Sequence, residues 1–413
     1  MLTIGEKIKQ VRKLKGLSQE NLAHDTGLSI STICRIENNT AEINSDVLKL
    51  VKKSLDIESA PLLPGEGTGF KERLYIWQKL TANRHLTEAR ALQKELVCIT
   101  SLPFEKGLAM LYKLFEVRLV LAERNFAVAE VMLNELSLEE MDNESKYHYY
   151  SNLGYLHMNI GNDKAKTPLQ YLLEAKKVEE RPNGDLYYAI ARCYTRLGLP
   201  FVSISYLEKS NMAYGNEKTI HIGLLLDNKL ALNYIDMGET VKARTLLNKC
   251  LSNAKSIADE SHIAVILHNM GCTYVKDRDW DLALDYFEHA ALYYDEDNHG
   301  YLENLYYKTR CLIALRKFAQ SKELIFHAAK FCRNASHYQV LFNSLSHMLT
   351  LRERKSLEYL ENIALPHLLK TNNIPNAIDF CEILESQYEG KKALEIAKIQ
   401  RDIYKRMCKL SIL

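Results

Sequence analysis

A small residue recurs along most of this chain at a spacing that suits a stack of paired helices. With Gly271 as reference, equivalent small positions fall at Gly154, Ala191, Ala231, Thr309, Ser346 and Cys381. The intervals in chain order, Gly271 included, are 37, 40, 40, 38, 37 and 35 residues. A bulky partner follows three residues later at His157, Tyr194, Tyr234 and Tyr274, then at Leu312, Leu349 and Leu384. A second small residue recurs downstream as Ser203, Ala243, Ala283, Ser321 and Ala393. A small residue in one helix lets the next approach closely, and the bulky side chain fills the space beside it. Units of this length bury their apolar faces only against their neighbours. Strand signals are scarce and the chain holds only eight prolines, so an all-α fold is expected.

The best unit is Leu267–Asp295, LHNMGCTYVKDRDWDLALDYFEHAALYYD. Its Gly271, Tyr274, Ala283, Phe287 and Ala290 resemble the tetratricopeptide repeat. The match is strong over 220–295, fair over 145–220 and 300–335, and weak beyond. Upstream, Trp77 with Ala89 and Val117 with Ala129 continue the rhythm. The resemblance implies a right-handed superhelix of about nine helical hairpins over residues 71–413, lined by a long groove.

Residues 1–60 carry a different signature, IGEKIKQVRKLKGLSQENLAHDTGLSISTICRIENN. Ser18 reads as a helix N-cap, with Asn21 where a capping box usually has Glu. Ala23 is small where two helices must cross. Gly27 supplies a turn in which positive φ costs little. Ile33 and Ile36 face inward. Together with Arg12 and Glu37, these residues resemble the Xre/phage-repressor helix-turn-helix family, which implies a five-helix DNA-binding domain. In that family the second helix of the motif, about Ser29–Asn38, enters the major groove. By that resemblance Ile30, Ser31 and Arg35 reach base edges, Arg35 being suited to guanine O6 and N7. Gln19 matches a phosphate-holding position. Ser29, Thr32 and Asn38 complete the DNA-contacting set, with Thr32 and Asn38 as backbone contacts that position the domain. Arg12 and Glu37 read as a structural clamp.

Between the two parts lies ESAPLLPGEGTGF, residues 58–70, where Pro61, Pro64, Gly65, Gly67 and Gly69 argue against helix. Residues 61–70 are therefore expected to be a linker. The formal net charge is only +2, so any nucleic-acid surface must be local. The nine cysteines form no CxxC pair, which argues for small buried side chains rather than metal or redox chemistry. No histidine cluster, triad or glycine-rich phosphate loop is evident, so no catalytic residue, cofactor or metal is expected. With no long apolar run and no secretory leader pattern, a cytoplasmic location without membrane contact is expected.

A helix-turn-helix followed by such repeats resembles the Rap/NprR/PlcR/PrgX (RNPP) family of quorum-sensing regulators, NprR above all in length and repeat number. The resemblance implies a transcription regulator whose helical array binds a short signalling peptide. It also implies a homodimer or higher homo-oligomer on double-stranded DNA. From the repeat register, the groove is expected to be lined by Asn152, Tyr155, Tyr188, Arg192, Asn228, His268, Asn269, Tyr306 and Arg310. The asparagines are suited to hold a peptide backbone and the arginines to bind a carboxylate. Two alternatives share this architecture. One is gating by a protein partner. The other is a Rap-like modulator that binds a phosphorelay response regulator and stimulates its dephosphorylation, docking it through residues 71–140.

Overall fold

The computed structural model describes residues 2–410 apart from Pro64, 161–164, 295–298, 333–335 and 372. Pro64, part of the expected linker, thus lies outside the described residues. Every regular element among them is helical. Four helices come first: α1 (Ile4–Leu14), α2 (Gln19–Thr26), α3 (Ile30–Glu37) and α4 (Ser45–Ser54). Nine pairs follow. They begin with α5 (Glu66–Ala82) and α6 (Leu86–Leu96), α7 (Lys106–Ala122) and α8 (Phe126–Asn134), and α9 (Asn143–Ile160) and α10 (Lys166–Lys177). Next come α11 (Gly184–Arg196) and α12 (Pro200–Tyr214), α13 (Ile220–Asp236) and α14 (Thr240–Ser256), and α15 (Glu260–Lys276) and α16 (Trp280–Ala291). The last are α17 (His299–Ala314) and α18 (Phe318–Phe331), α19 (Ser336–Met348) with α20 (Arg354–Tyr359) and α21 (Leu365–Lys370), and α22 (Ile374–Gln387) and α23 (Gly390–Leu410). A π-helical turn, Leu360–Ala364, joins α20 to α21.

The chain divides into two compact units, Met1–Gly161 with Gln170–Arg181, and Asn162–Leu169 with Pro182–Leu413. In the first unit, Ile8, Val11, Leu22, Ile33, Ile36 and Val51 of the N-terminal helices are fully or almost fully buried. The same apolar cluster runs on through Leu62, Phe70, Leu74 and Trp77 to Leu111 and Phe115. Two sequence expectations change here. Residues 1–60 hold four helices, not five, because the chain after α4 turns at Asp56 (φ 49°) and buries Ala60 and Leu62 instead of coiling again. Helix α5 also starts at Glu66, inside the stretch read as linker. Gly65 turns the chain at φ 87°, and the Glu66 carboxylate accepts hydrogen bonds from the backbone N–H groups of Leu62 (2.8 Å) and Leu63 (2.9 Å). Lys52 pairs with the same carboxylate at 3.2 Å. Phe70, Leu74, Trp77 and Thr81 then bury one helical stripe, which outweighs the poor propensity of Gly67 and Gly69.

In the second unit the repeat register is visible in the turns. Gly198, Gly238, Arg278 and Arg316 hold left-handed φ values of 71°, 78°, 61° and 59° between the two helices of successive pairs. The same turn recurs in the first unit at Arg84 and Arg124, both at φ 64°. The small reference positions do what the spacing implies. A Cβ placed on Gly271 would meet the Phe287 ring at 2.7 Å, and Phe287 is fully buried in the partner helix α16. Ala191 plays the same part in α11, where its carbonyl accepts a 2.9 Å bond from the buried Ser203 hydroxyl of α12. Gly271→Ala should therefore destabilise the chain by about 1–3 kcal/mol through overpacking, despite the better helix propensity of alanine. Denaturant unfolding checks this, and an unchanged midpoint would show that Phe287 can step aside.

Candidate DNA-reading surface and ligand face

The candidate reading helix, α3, is built by local capping. Ser18 and Asn21 form a complete capping box for α2, with Asn21 serving where Glu is usual. Gly27 closes that helix at φ 71°. Ser29 is the N-cap of α3: its hydroxyl oxygen accepts from the Thr32 N–H at 3.0 Å and lies 2.8 Å from the Thr32 hydroxyl. Ile33, Ile36 and Glu37 turn inward. Ile30, Ser31, Arg35 and Asn38 are left facing solvent. Ile30 is 49% exposed, unusual for an isoleucine and suited to a thymine methyl. The Arg35 guanidinium meets no acceptor among the described residues. Asn38 forms the C-cap of the helix.

The expected clamp is present. Arg12 donates from Nε and Nη2 to the two oxygens of Glu37, at 2.5 and 2.8 Å, and from Nη1 to the Leu17 carbonyl at 2.7 Å. Both partners are buried. Gln19 joins the clamp, its amide N–H donating to Glu37 at 2.8 Å, so the residue matched to a phosphate contact also holds the clamp together. Burial opposes the Glu37 charge, but hydrogen bonds from Arg12 and Gln19 and the Arg12 charge outweigh it. The carboxyl is held below the ordinary range.

Of the nine residues expected to line a groove, Asn152 and Tyr155 belong to the first unit and the other seven to the second. In the first unit, Asn152 is buried and its amide donates to the Leu114 carbonyl of α7 at 2.8 Å. Tyr155 is half-buried under the Arg118 guanidinium, 3.8 Å from its ring centre. In the second unit, Asn269 is buried and donates to the Asn228 side chain at 2.8 Å. Both buried asparagines sit two residues before their small reference positions, where a side chain points at the preceding first helix. They join neighbouring hairpins, so the groove assignment is corrected for both. His268 is buried between the rings of Phe287 (5.3 Å) and Tyr307 (5.4 Å) and hydrogen-bonds Asn304 at 3.1 Å. Tyr306 is 1% exposed and packs on Phe342. These two are core residues, because an aromatic gains more by burial than a groove wall offers. Arg310 is paired with Asp379 at 2.9 Å and Asn376 at 3.3 Å, so a carboxylate of this chain already fills the role expected for a ligand.

What stays accessible is a smaller set. Tyr188 and Arg192 lie one turn apart on α11, and Arg196 continues the stripe. Helix α13 packs beside α11 and presents Lys229, half-buried yet surrounded by protein on most sides. Its burial, with Arg192 and Arg196 close by, pulls the ammonium down to about 7. Asp236 of α13 has an exposed surface, yet the protein packed around it pushes its carboxyl up to about 6 against the pull of Lys276 and Lys229. Sequence reasoning named Arg192 but missed Arg196 and Lys229. The signal for Arg196 was its i+4 spacing. Lys229 has no sequence signal, since its neighbours lie on another repeat.

Two outcomes follow from this geometry. Arg35→Ala should weaken specific DNA binding by about 1–3 kcal/mol without lowering the melting temperature; gel shifts on an operator and its mutated variants would expose an unchanged sequence preference, which is the contrary result. Glu37→Gln should destabilise the N-terminal helices by about 3–5 kcal/mol at neutral pH. A carboxyl depressed by folding stabilises above its unfolded pKa of about 4.3, and that contribution disappears as pH falls through the lower folded value. Circular dichroism against pH should therefore show less acid sensitivity in the variant than in the wild type.

A helix-turn-helix family model matches residues 8–62, and a tetratricopeptide repeat model matches residues 224–291. The chain is 21% identical over 389 residues to the transcriptional activator NprA of Geobacillus stearothermophilus, covering 90% of this chain and 95% of NprA. Its fold is similar to that of a Rap protein complexed with competence and sporulation factor, with a TM-score of 0.72 at 17% identity over 83% of this chain and 99% of the other. It is also similar to NprR in complex with its cognate peptide NprX, with a TM-score of 0.68 at 20% identity over 82% and 98%. The chain thus carries a helix-turn-helix and tetratricopeptide repeats, is a relative of NprA by sequence, and is similar in fold to Rap and NprR.

Proposed function

We propose that this chain is a transcription regulator whose α3 reads double-stranded DNA and whose helical array takes a short signalling peptide that controls this reading. The observation that carries the proposal is α3 itself. It keeps an arginine whose guanidinium meets no acceptor among the described residues, an exposed isoleucine and small polar residues on one face, in a chain that aligns with a transcriptional activator over 95% of that relative's length. The likeness to NprR, solved with its cognate peptide, supports a peptide as the controlling ligand.

The physical requirements are modest. A near-neutral chain gains little from phosphates at large, so one copy binds DNA weakly. Two copies on half-sites one helical turn apart multiply the contact, which makes a homodimer the acting form. A DNA target implies a cytoplasmic protein, and no described helix is long and apolar enough to cross a membrane. On the ligand side, half-buried Arg192 and Lys229 and exposed Arg196 gather positive charge. A peptide carboxylate placed there would form charge-assisted hydrogen bonds. Tyr188 adds rigid contact area beside it.

Purification from the native cell followed by mass spectrometry should recover a bound short peptide. Calorimetry with that peptide, resynthesised, should show at least tenfold weaker binding to Arg192→Ala and to Lys229→Ala, with melting temperatures of the free proteins unchanged. Wild-type affinity in both variants would remove this face from the proposal. A response regulator in place of the peptide would redirect it toward the Rap-like reading.

A further inference from the structure

Among the described residues, one group of side chains has the composition of a metal site and no part in the reading above. His221 is the second residue of α13, and Asp259 is the N-cap of α15 with His262 in the first turn behind it. One ligand atom from each lies within 4.8 Å of the other two. Asp259 Oδ2 is 2.7 Å from His262 Nδ1 and 3.8 Å from His221 Nδ1. The imidazole rings face each other edge to face, 4.9 Å between centres and 81° between planes.

We propose that His221, Asp259 and His262 bind one divalent transition-metal ion, of which Zn²⁺ is the probe. Two imidazole nitrogens and a carboxylate oxygen suit Zn²⁺, Ni²⁺ or Cu²⁺ rather than Mg²⁺ or Ca²⁺, which take oxygen ligands. Bonds of about 2.0–2.2 Å to one centre require ligand atoms somewhat over 3 Å apart. The observed 2.7 and 3.8 Å lie on either side of that spacing and the two imidazoles offer nitrogens within 4.8 Å, so the three side chains are already near the reach of one ion. Each neutral imidazole can carry its proton on Nε2 and leave the Nδ1 lone pair for the metal. Asp259 already receives the His262 backbone N–H on Oδ1 at 3.1 Å, which fixes the carboxylate and leaves Oδ2 turned toward both rings. The His221 side chain is 51% exposed, so water has access to the remaining coordination positions.

The placement gives the ion a mechanical role. Its ligands come from the starts of α13 and α15, the first helices of two successive hairpins that pack side by side. A bound ion would tie these two helix starts together at the edge of the apolar core that holds Leu224 and Ile263. Sequence inspection could not find the site, because His221 lies 38 residues before Asp259 and only the repeat stacking joins them.

Calorimetry on untagged full-length protein, first treated with a chelator, should show one Zn²⁺ bound per chain at this site and a melting temperature raised by Zn²⁺. His221→Ala and Asp259→Asn should each weaken that binding at least tenfold and abolish the thermal shift. Asparagine is as good an N-cap as aspartate, so Asp259→Asn separates metal binding from helix capping. His85→Ala, a half-exposed histidine elsewhere, should bind Zn²⁺ as the wild type does. Absence of binding in the wild type, or equal affinity in His221→Ala and Asp259→Asn, would overturn the proposal.

Discussion

The close approach of the two helices in each hairpin governs the rest of this architecture. Where Gly271 faces Phe287, the ring occupies the volume that a Cβ would need. In an earlier hairpin the two helices are held close in another way, by the Ser203 hydroxyl donating to the Ala191 carbonyl. A hairpin locked in this way still has apolar surface on both sides, and it is stable only when the next hairpin covers that surface. The recurrent left-handed turn, at Gly198, Gly238, Arg278 and Arg316, holds the second helix at a fixed angle so that stacking can continue. That four of the six such turns place an arginine there shows that packing outweighs the local cost of positive φ.

The N-terminal helices depend on the array in turn. Their apolar core is continuous with Phe70, Leu74 and Trp77 of α5 and reaches Phe115 of α7. The segment between them is pinned by Glu66 to the backbone of Leu62 and Leu63, and by Lys7 to the Leu62 carbonyl at 3.1 Å. A tether would let the helix-turn-helix domain move independently of the first hairpins. A shared core joins the two in one compact unit. The buried Arg12–Glu37 pair, braced by Gln19, keeps α3 in place within that body. Removing either partner would leave an unpaired buried charge.

The ligand face illustrates a general property of stacked repeats. The asparagines with the most obvious capacity to hold a peptide, Asn152 and Asn269, are used to bond one hairpin to the next. Buried polar groups must find partners, and the backbone or side chain of the adjacent repeat is the nearest. Arg310 is satisfied in the same way by Asp379. The cations Arg192 and Lys229 meet no acceptor among the described residues, and burial weakens the charge on Lys229. An unsatisfied cation in a recessed place is the better indicator of a ligand than a residue type at a repeat position.

Much of this was legible in the sequence. The spacing of Gly154, Ala191, Ala231 and Gly271 specifies paired helices, because few other folds need a small residue every 35–40 positions. Ser18, Gly27 and Ser29 announce α2 and α3, since caps and left-handed turns are local chemistry. The Arg12–Glu37 clamp was legible too, as a charge pair at motif positions. What lay beyond it was decided between repeats. Residues 61–70 look like a linker until the core beneath Leu62 and Phe70 is seen. His268 and Tyr306 look like groove residues until their neighbours bury them. Lys229 beside Arg192 and Arg196, and His221 beside Asp259, are joined only by stacking, since each pairing crosses between hairpins about 40 residues apart. Local hydrogen bonds and steric limits are written into consecutive residues. Which side chains end burdened, paired or left open depends on neighbours that only the tertiary structure supplies.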